Sequence, residues 1–227
     1  MARETRKELL KDDEFMEAAF DLGTWFEENY KTVFRAAAAI IIGVLVIAAI
    51  LTFQRSKEAG LRATLAEGSS AFTRAAATQF SDSDALADAL VKFEEVEAKG
   101  GGSTTGAVAT YYRGATLYRL GRSDEALEAL KSFQAKAGGM GTIEWAGNSL
   151  LANLMAESGD VVGAIAIIQP IAEDAETSHP RDQALLQLGD LHATAGDDEA
   201  ARRAWETIGS ELPNSPAASL AAERLGS

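Results

Sequence analysis

Residues 36–53 read AAAAIIIGVLVIAAILTF, a run without a charged side chain, bracketed by Arg35 and Arg55. A helix rises about 1.5 Å per residue, so this stretch covers most of a bilayer's hydrocarbon core. The expectation is one retained transmembrane helix, 36–54, between a short tail, 1–35, and a large soluble domain, 55–227. A secretory signal peptide has a shorter apolar region nearer the N-terminus and ends in a small-x-small cleavage site. Here 35 residues precede the run, and Phe53-Gln54-Arg55 follows it. A core helix seldom runs so long without a polar face.

Charge narrows what the soluble part can do. The chain carries 21 Lys and Arg against 34 Asp and Glu, a net charge of −13. Residues 55–227 hold 15 basic and 25 acidic side chains, so −10 sits there. Such a surface argues against nucleic acid, whose phosphates need clustered cations. The absence of cysteine excludes disulfides, thiolate metal sites, thiol catalysis and a lipid-modified cysteine anchor. Six cations in the tail (Arg3, Arg6, Lys7, Lys11, Lys31, Arg35) outnumber Arg55, Lys57 and Arg62 beyond the run. Over the whole tail this bias favours an N-terminus inside, whereas the nearest cations alone, Lys31 and Arg35 against those three, favour the reverse.

In the tail, Phe15, Ala19, Leu22, Phe26, Tyr30 and Val33 recur every three or four residues, a helical stripe. Asp12, Asp13 and Glu14 favour a helix N-terminus there. Trp25 and Tyr30 suit the aromatic belt beside a span. Phe15 and Phe26 are candidates for docking a partner on the cytoplasmic face.

Beyond the run the sequence repeats. Gly121, Gly159 and Gly196 follow one another at intervals of 38 and 37 residues. Alanine stands five residues after each, at Ala126, Ala164 and Ala201. Leu130, Ile168 and Trp205 come four further on, then Phe133, Ile171 and Ile208. Gly114, Ala152 and Gly189 stand seven before each glycine. Glycine ends a first helix because it accepts left-handed dihedrals. A small residue on the first helix is expected to meet the small alanine on the second, and the large residue to fill the groove to the next repeat. Such a unit cannot bury its own face, so several must stack.

This pattern resembles the tetratricopeptide repeat, normally about 34 residues long. Ala89, Phe93 and Val96 match a degenerate first copy, its first helix expected near Ala77 and Phe80 and its turn, Ser81-Asp82-Ser83-Asp84, lacking glycine. The run 100–106 reads as a mobile loop between the first two pairs. Pro213-Asn214-Ser215-Pro216 and the following helix read as the closing segment. The fold expectation is all-α: one transmembrane helix, then a tetratricopeptide-like solenoid of about four helix pairs with a capping helix.

No catalytic constellation emerges. HExxH, P-loop and GxSxG motifs are absent from the sequence. His179 precedes Pro180 in a loop, and His192 falls at an inner position of the third clear repeat. Neither has the convergent partners of a metal site, so no metal, cofactor or enzymatic activity is expected. Binding proteins is the natural task of stacked repeats. Carrying the family's groove positions onto this sequence places Arg74, Tyr111, Tyr118, Arg119, Asn153, Gln183 and Asp190 there. The two tyrosines fit partner anchoring and packing between repeats equally. Tyr111 and Leu186 stand where the carboxylate-clamping subtype has lysine, so that activity is not expected.

The pre-span stretch Trp25-Phe26-Glu27-Glu28-Asn29-Tyr30-Lys31, one span and degenerate repeats together resemble the YfgM-like family of bacterial inner-membrane proteins. The resemblance implies an N-terminus in the cytoplasm and repeats in the periplasm. It implies association with the SecYEG translocon and a PpiD-type membrane-bound periplasmic chaperone. The alternative is an assembly factor for envelope complexes or cytochrome c maturation.

Overall fold

The computed structural model describes the backbone of residues 2–175 and 179–226, and the side chains of Trp25, 29–175 and 179–226. Among these residues all regular structure is helical: α1 (Ala2–Ala77), α2 (Ser83–Gly100), α3 (Thr104–Arg119), α4 (Ser123–Gln134), α5 (Thr142–Glu157), α6 (Val161–Glu173), α7 (Arg181–Thr194), α8 (Asp198–Glu211) and α9 (Ala218–Gly226). The chain divides into two units, Met1–Lys57 and Glu58–Ser227.

In the first unit α1 begins at Ala2, not at the acidic residues Asp12–Glu14. Lys7-Glu8-Leu9-Leu10-Lys11 are strong helix formers, and nothing breaks the chain before Asp12. Phe15 and Phe26 lie outside the described side chains. Through 36–53 the apolar side chains point outward, Ile40, Val44 and Phe53 among them. This helix is long and apolar enough to cross a membrane, with a mean hydropathy of 2.8 over its most apolar window. The Thr52 hydroxyl donates to the Ala48 carbonyl at 2.7 Å, which leaves that apolar surface no unpaired donor from it.

In the second unit, residues 58–77 pair with α2 as the first hairpin. The pairs α3–α4, α5–α6 and α7–α8 follow, and α9 closes the stack. The first helix of the first copy thus lies N-terminal to the expected position, and Phe80 sits in the turn after it. Each first helix ends the same way. A backbone N–H reaches five residues back: Phe80 to Ala75 (2.7 Å), Arg122 to Leu117 (2.9 Å), Asp160 to Met155 (2.8 Å) and Asp197 to His192 (2.9 Å). That closure needs one left-handed residue just before the donor. Gly121, Gly159 and Gly196 supply it in three turns, with φ of 74°, 93° and 80°. In the first turn Gln79 supplies it instead, and Phe80 is left-handed too, with φ of 51° and 62°. Asp82, Asp160 and Asp197 then cap the second helices by accepting from the amides of Ala85, Gly163 and Ala200.

Ala126 meets Gly114 as the spacing implies, its carbonyl 3.5 Å from where a Gly114 Cβ would stand, but large residues fill notches within their own hairpins. A Cβ on Gly114 would lie 2.8 Å from Leu130 Cγ, and one on Gly189 would collide with Trp205 Nε1. The large residue of the same hairpin therefore occupies each notch, because its side chain reaches further than the alanine methyl. The glycine run after α2 is likewise no long loop. Only residues 101–103 separate α2 from α3, and Gly106 lies so close to Gly100 that an added Cβ would collide with its carbonyl oxygen.

Candidate groove on the first helices

Within the second unit, the first helices α3, α5 and α7 stand next to one another, and their outward faces line a groove in two sections. The larger section, 590 Å³, lies between α5 and α7. Trp145, Ser149, Asn153 and Glu157 enter it from α5 at four-residue intervals, one face of a helix. Gln183, Gln187, Asp190 and Thr194 enter it from α7 at intervals of four, three and four residues, again one face of a helix.

Side-chain amides tie the two walls together. The Trp145 indole N–H donates to Gln183 Oε1 at 3.2 Å. Gln187 Nε2 donates to the Ser149 carbonyl at 2.9 Å and to Asn153 Oδ1 at 2.8 Å. At one end two carboxylates are engaged from neighbouring helices. Glu157 accepts from the Tyr118 hydroxyl at 3.0 Å, and Asp190 accepts from Arg224 Nε of α9 at 3.1 Å. The bond to Glu157 raises the Tyr118 phenol above its ordinary pKa, with burial and the Glu157 charge adding to it.

The smaller section, 290 Å³, is aromatic. Phe72, Phe80, Tyr111 and Tyr118 line it, and the Arg119 guanidinium lies 4.3 Å from the centre of the Phe80 ring. Tyr111 packs on Tyr112 and Phe133 with ring centres 5.0 and 5.6 Å apart. Its pKa is raised, chiefly by that burial. Tyr111 therefore packs within the α3–α4 hairpin, whereas Tyr118 projects its hydroxyl to the groove.

The structure brings Asn153, Gln183 and Asp190 to the larger section, and Tyr111, Tyr118 and Arg119 to the smaller one, from which the Tyr118 hydroxyl reaches Glu157 of the larger. Arg74 lies elsewhere, in a depression between residues 58–77 and α2, where its Nη2 is 3.4 Å from Asp88 Oδ2. Sequence reasoning missed Trp145, Glu157 and Gln187. The stride 145–149–153–157 was the available signal. No group of three or more His, Cys, Asp or Glu able to hold a metal occurs among the described residues. His179 and His192 each face one carboxylate, Glu144 at 3.9 Å and Asp197 at 4.0 Å.

A tetratricopeptide-repeat family model matches residues 183–215, the α7–α8 hairpin and the turn after it. No curated protein matches the sequence. Among solved structures, the chain is similar to the nearly identical TPR-like repeats of a putative kinesin light chain from Podosopora anserina. The likeness has a TM-score of 0.57 at 17% identity, over 73% of this chain and 82% of that one, for a form carrying a single substitution. The form without the substitution gives a TM-score of 0.57 and 17% identity over 73% and 83%. At this identity the likeness is one of fold: the second unit is a tetratricopeptide-like solenoid.

Proposed function

We propose that this protein is a membrane-anchored, non-enzymatic scaffold that binds other proteins along the α5–α7 groove. The observation that carries the reading is an open groove lined by regularly spaced side chains of successive first helices, in a chain that also holds a membrane-length apolar helix. Tetratricopeptide-like repeats are generally interaction scaffolds, and stacked first helices present such surfaces. The proposed organisation is a cytoplasmic tail, 1–35, with Phe15 and Phe26 as docking residues, an anchor, 36–54, and a periplasmic solenoid, 55–227. By the YfgM-like resemblance, the proposed partners are the SecYEG translocon and a PpiD-type chaperone, held where secreted chains emerge.

The test is in-cell crosslinking from photoreactive residues at Tyr118 and Asn153 of the full chain, with the captured proteins identified. Translocon subunits or a periplasmic chaperone are the expected catch. Capture of haem-handling proteins moves the role to cytochrome c maturation. Capture of cytoplasmic proteins alone overturns the orientation.

A further inference from the structure

We infer that the α5–α7 groove takes an extended polypeptide segment bearing lysine or arginine, and that Arg224 of α9 holds the cation position until such a segment displaces it. The inference rests on the groove being the partner surface and names the chemistry of the occupant. Among the described residues the lining includes two carboxylates, Glu157 and Asp190, and no lysine, arginine or histidine. Asn153 and Gln183 carry both donor and acceptor atoms, the pair that a peptide backbone needs. The buried Oε1 of Gln187, on the groove wall, has no hydrogen-bond donor among the described residues. A backbone N–H from an occupant would supply one after a small shift of the wall.

The chain's own cation is the second observation. Arg224 reaches across from α9 and sets its Nε 3.1 Å from Asp190 Oδ1, with both side chains about two-fifths exposed, 43% and 42%. A guanidinium is therefore already received at that end. An ion pair so open to water is worth little, so the Asp190 side of this contact is exchanged for a ligand cation at small cost. The excess of ten acidic charges over residues 55–227 draws cationic segments in and repels acidic ones.

The test uses the full chain in non-ionic detergent and labelled peptides of equal length, one lysine-rich, one glutamate-rich and one serine–glycine, read by fluorescence anisotropy. The lysine peptide is expected to bind about tenfold more tightly than the glutamate peptide, and the preference to shrink with salt. Asp190→Asn and Glu157→Gln each weaken the lysine peptide several-fold. Arg224→Ala strengthens it, and has no effect in the Asp190→Asn background. Asp198→Asn, on α8 outside the groove, leaves the affinity unchanged. A loss at Asp198 equal to that at Asp190 overturns the inference, because the attraction is then diffuse. Equal binding of all three peptides overturns the charge requirement and leaves groove binding standing. Binding of none, with helical circular dichroism intact, overturns both.

Discussion

Between residues 58 and 134 the repeats meet through rings, and between 142 and 211 the first helices are bridged by side-chain amides. In the first region Phe72, Phe80, Phe93, Tyr111, Tyr112 and Phe133 form a chain of ring contacts with centres 5.0–5.9 Å apart. In the second, Ile168, Leu185, Leu188 and Ile208 fill the interior, and Trp145, Gln183, Gln187 and Asn153 bridge the first helices at the surface. Rings that stack exclude water and leave few polar atoms for a partner. Amides keep donors and acceptors at the surface, where they can be exchanged for those of a ligand. The same repeat thus yields a locked region and a receptive one.

Removing a fully buried ring strikes hardest at the comparison. Phe133 is fully buried and packs under Tyr111 and Gly147. Phe133→Ala is expected to cost about 3–5 kcal/mol. Hydrogen exchange should accelerate in α3–α5 while α7–α9 keep their protection, because repeats couple mainly to neighbours. Equal loss along the whole solenoid would mean that the two regions form one cooperative unit.

The reverse experiment acts on the second region. Gly189→Ala pushes a methyl group into the Trp205 indole, and overpacking of this kind costs about 1–3 kcal/mol. Exchange should quicken in α7–α8 with the ring-locked hairpins spared. A melting temperature equal to that of the parent protein would show that the notch has slack.

The turns sharpen the contrast with opposite signs at one backbone position. Gln79→Gly relieves a left-handed residue that has a side chain and is expected to stabilise by about 1 kcal/mol. Gly159→Ala imposes the strain that Gln79 bears and should destabilise by about 1 kcal/mol. Urea unfolding of both variants reads the difference. Shifts of the same sign would refute the equivalence of the two turns.

The smallest effect is at the seam between the two regions. Tyr118 has a folded pKa above its unfolded value, so its bond to Glu157 contributes fully below about pH 10 and is lost as pH rises through the folded pKa. Glu157→Gln should lower the Tyr118 midpoint in an ultraviolet titration. Tyr111, raised first by burial, should titrate unchanged. Movement of both midpoints together would show the ring cluster and the groove to be one network.

Much of the fold was legible in the sequence, and the groove less so. The glycines at 121, 159 and 196 announce themselves, because a left-handed cap tolerates few other residues. The first turn was read as lacking glycine, yet its geometry was hidden. Phe80 is held there by Phe72 at 5.3 Å and by Arg119, and these contacts lie outside its own segment. Asn153, Gln183 and Asp190 were placed by register within the repeat. Trp145 and Gln187 were not, since their role depends on which side chain of the next first helix stands opposite.

The sequence by itself determined the all-α class, the apolar helix and the helix–turn–helix period, because these rest on local hydropathy and on what one residue's backbone permits. Tertiary structure alone decided that Leu130 and Trp205 fill the glycine notches, that 100–106 is a tight junction, and that Arg74 leaves the groove while Arg224 reaches it. Those outcomes depend on how far side chains reach between helices distant in sequence, and no local pattern encodes that distance.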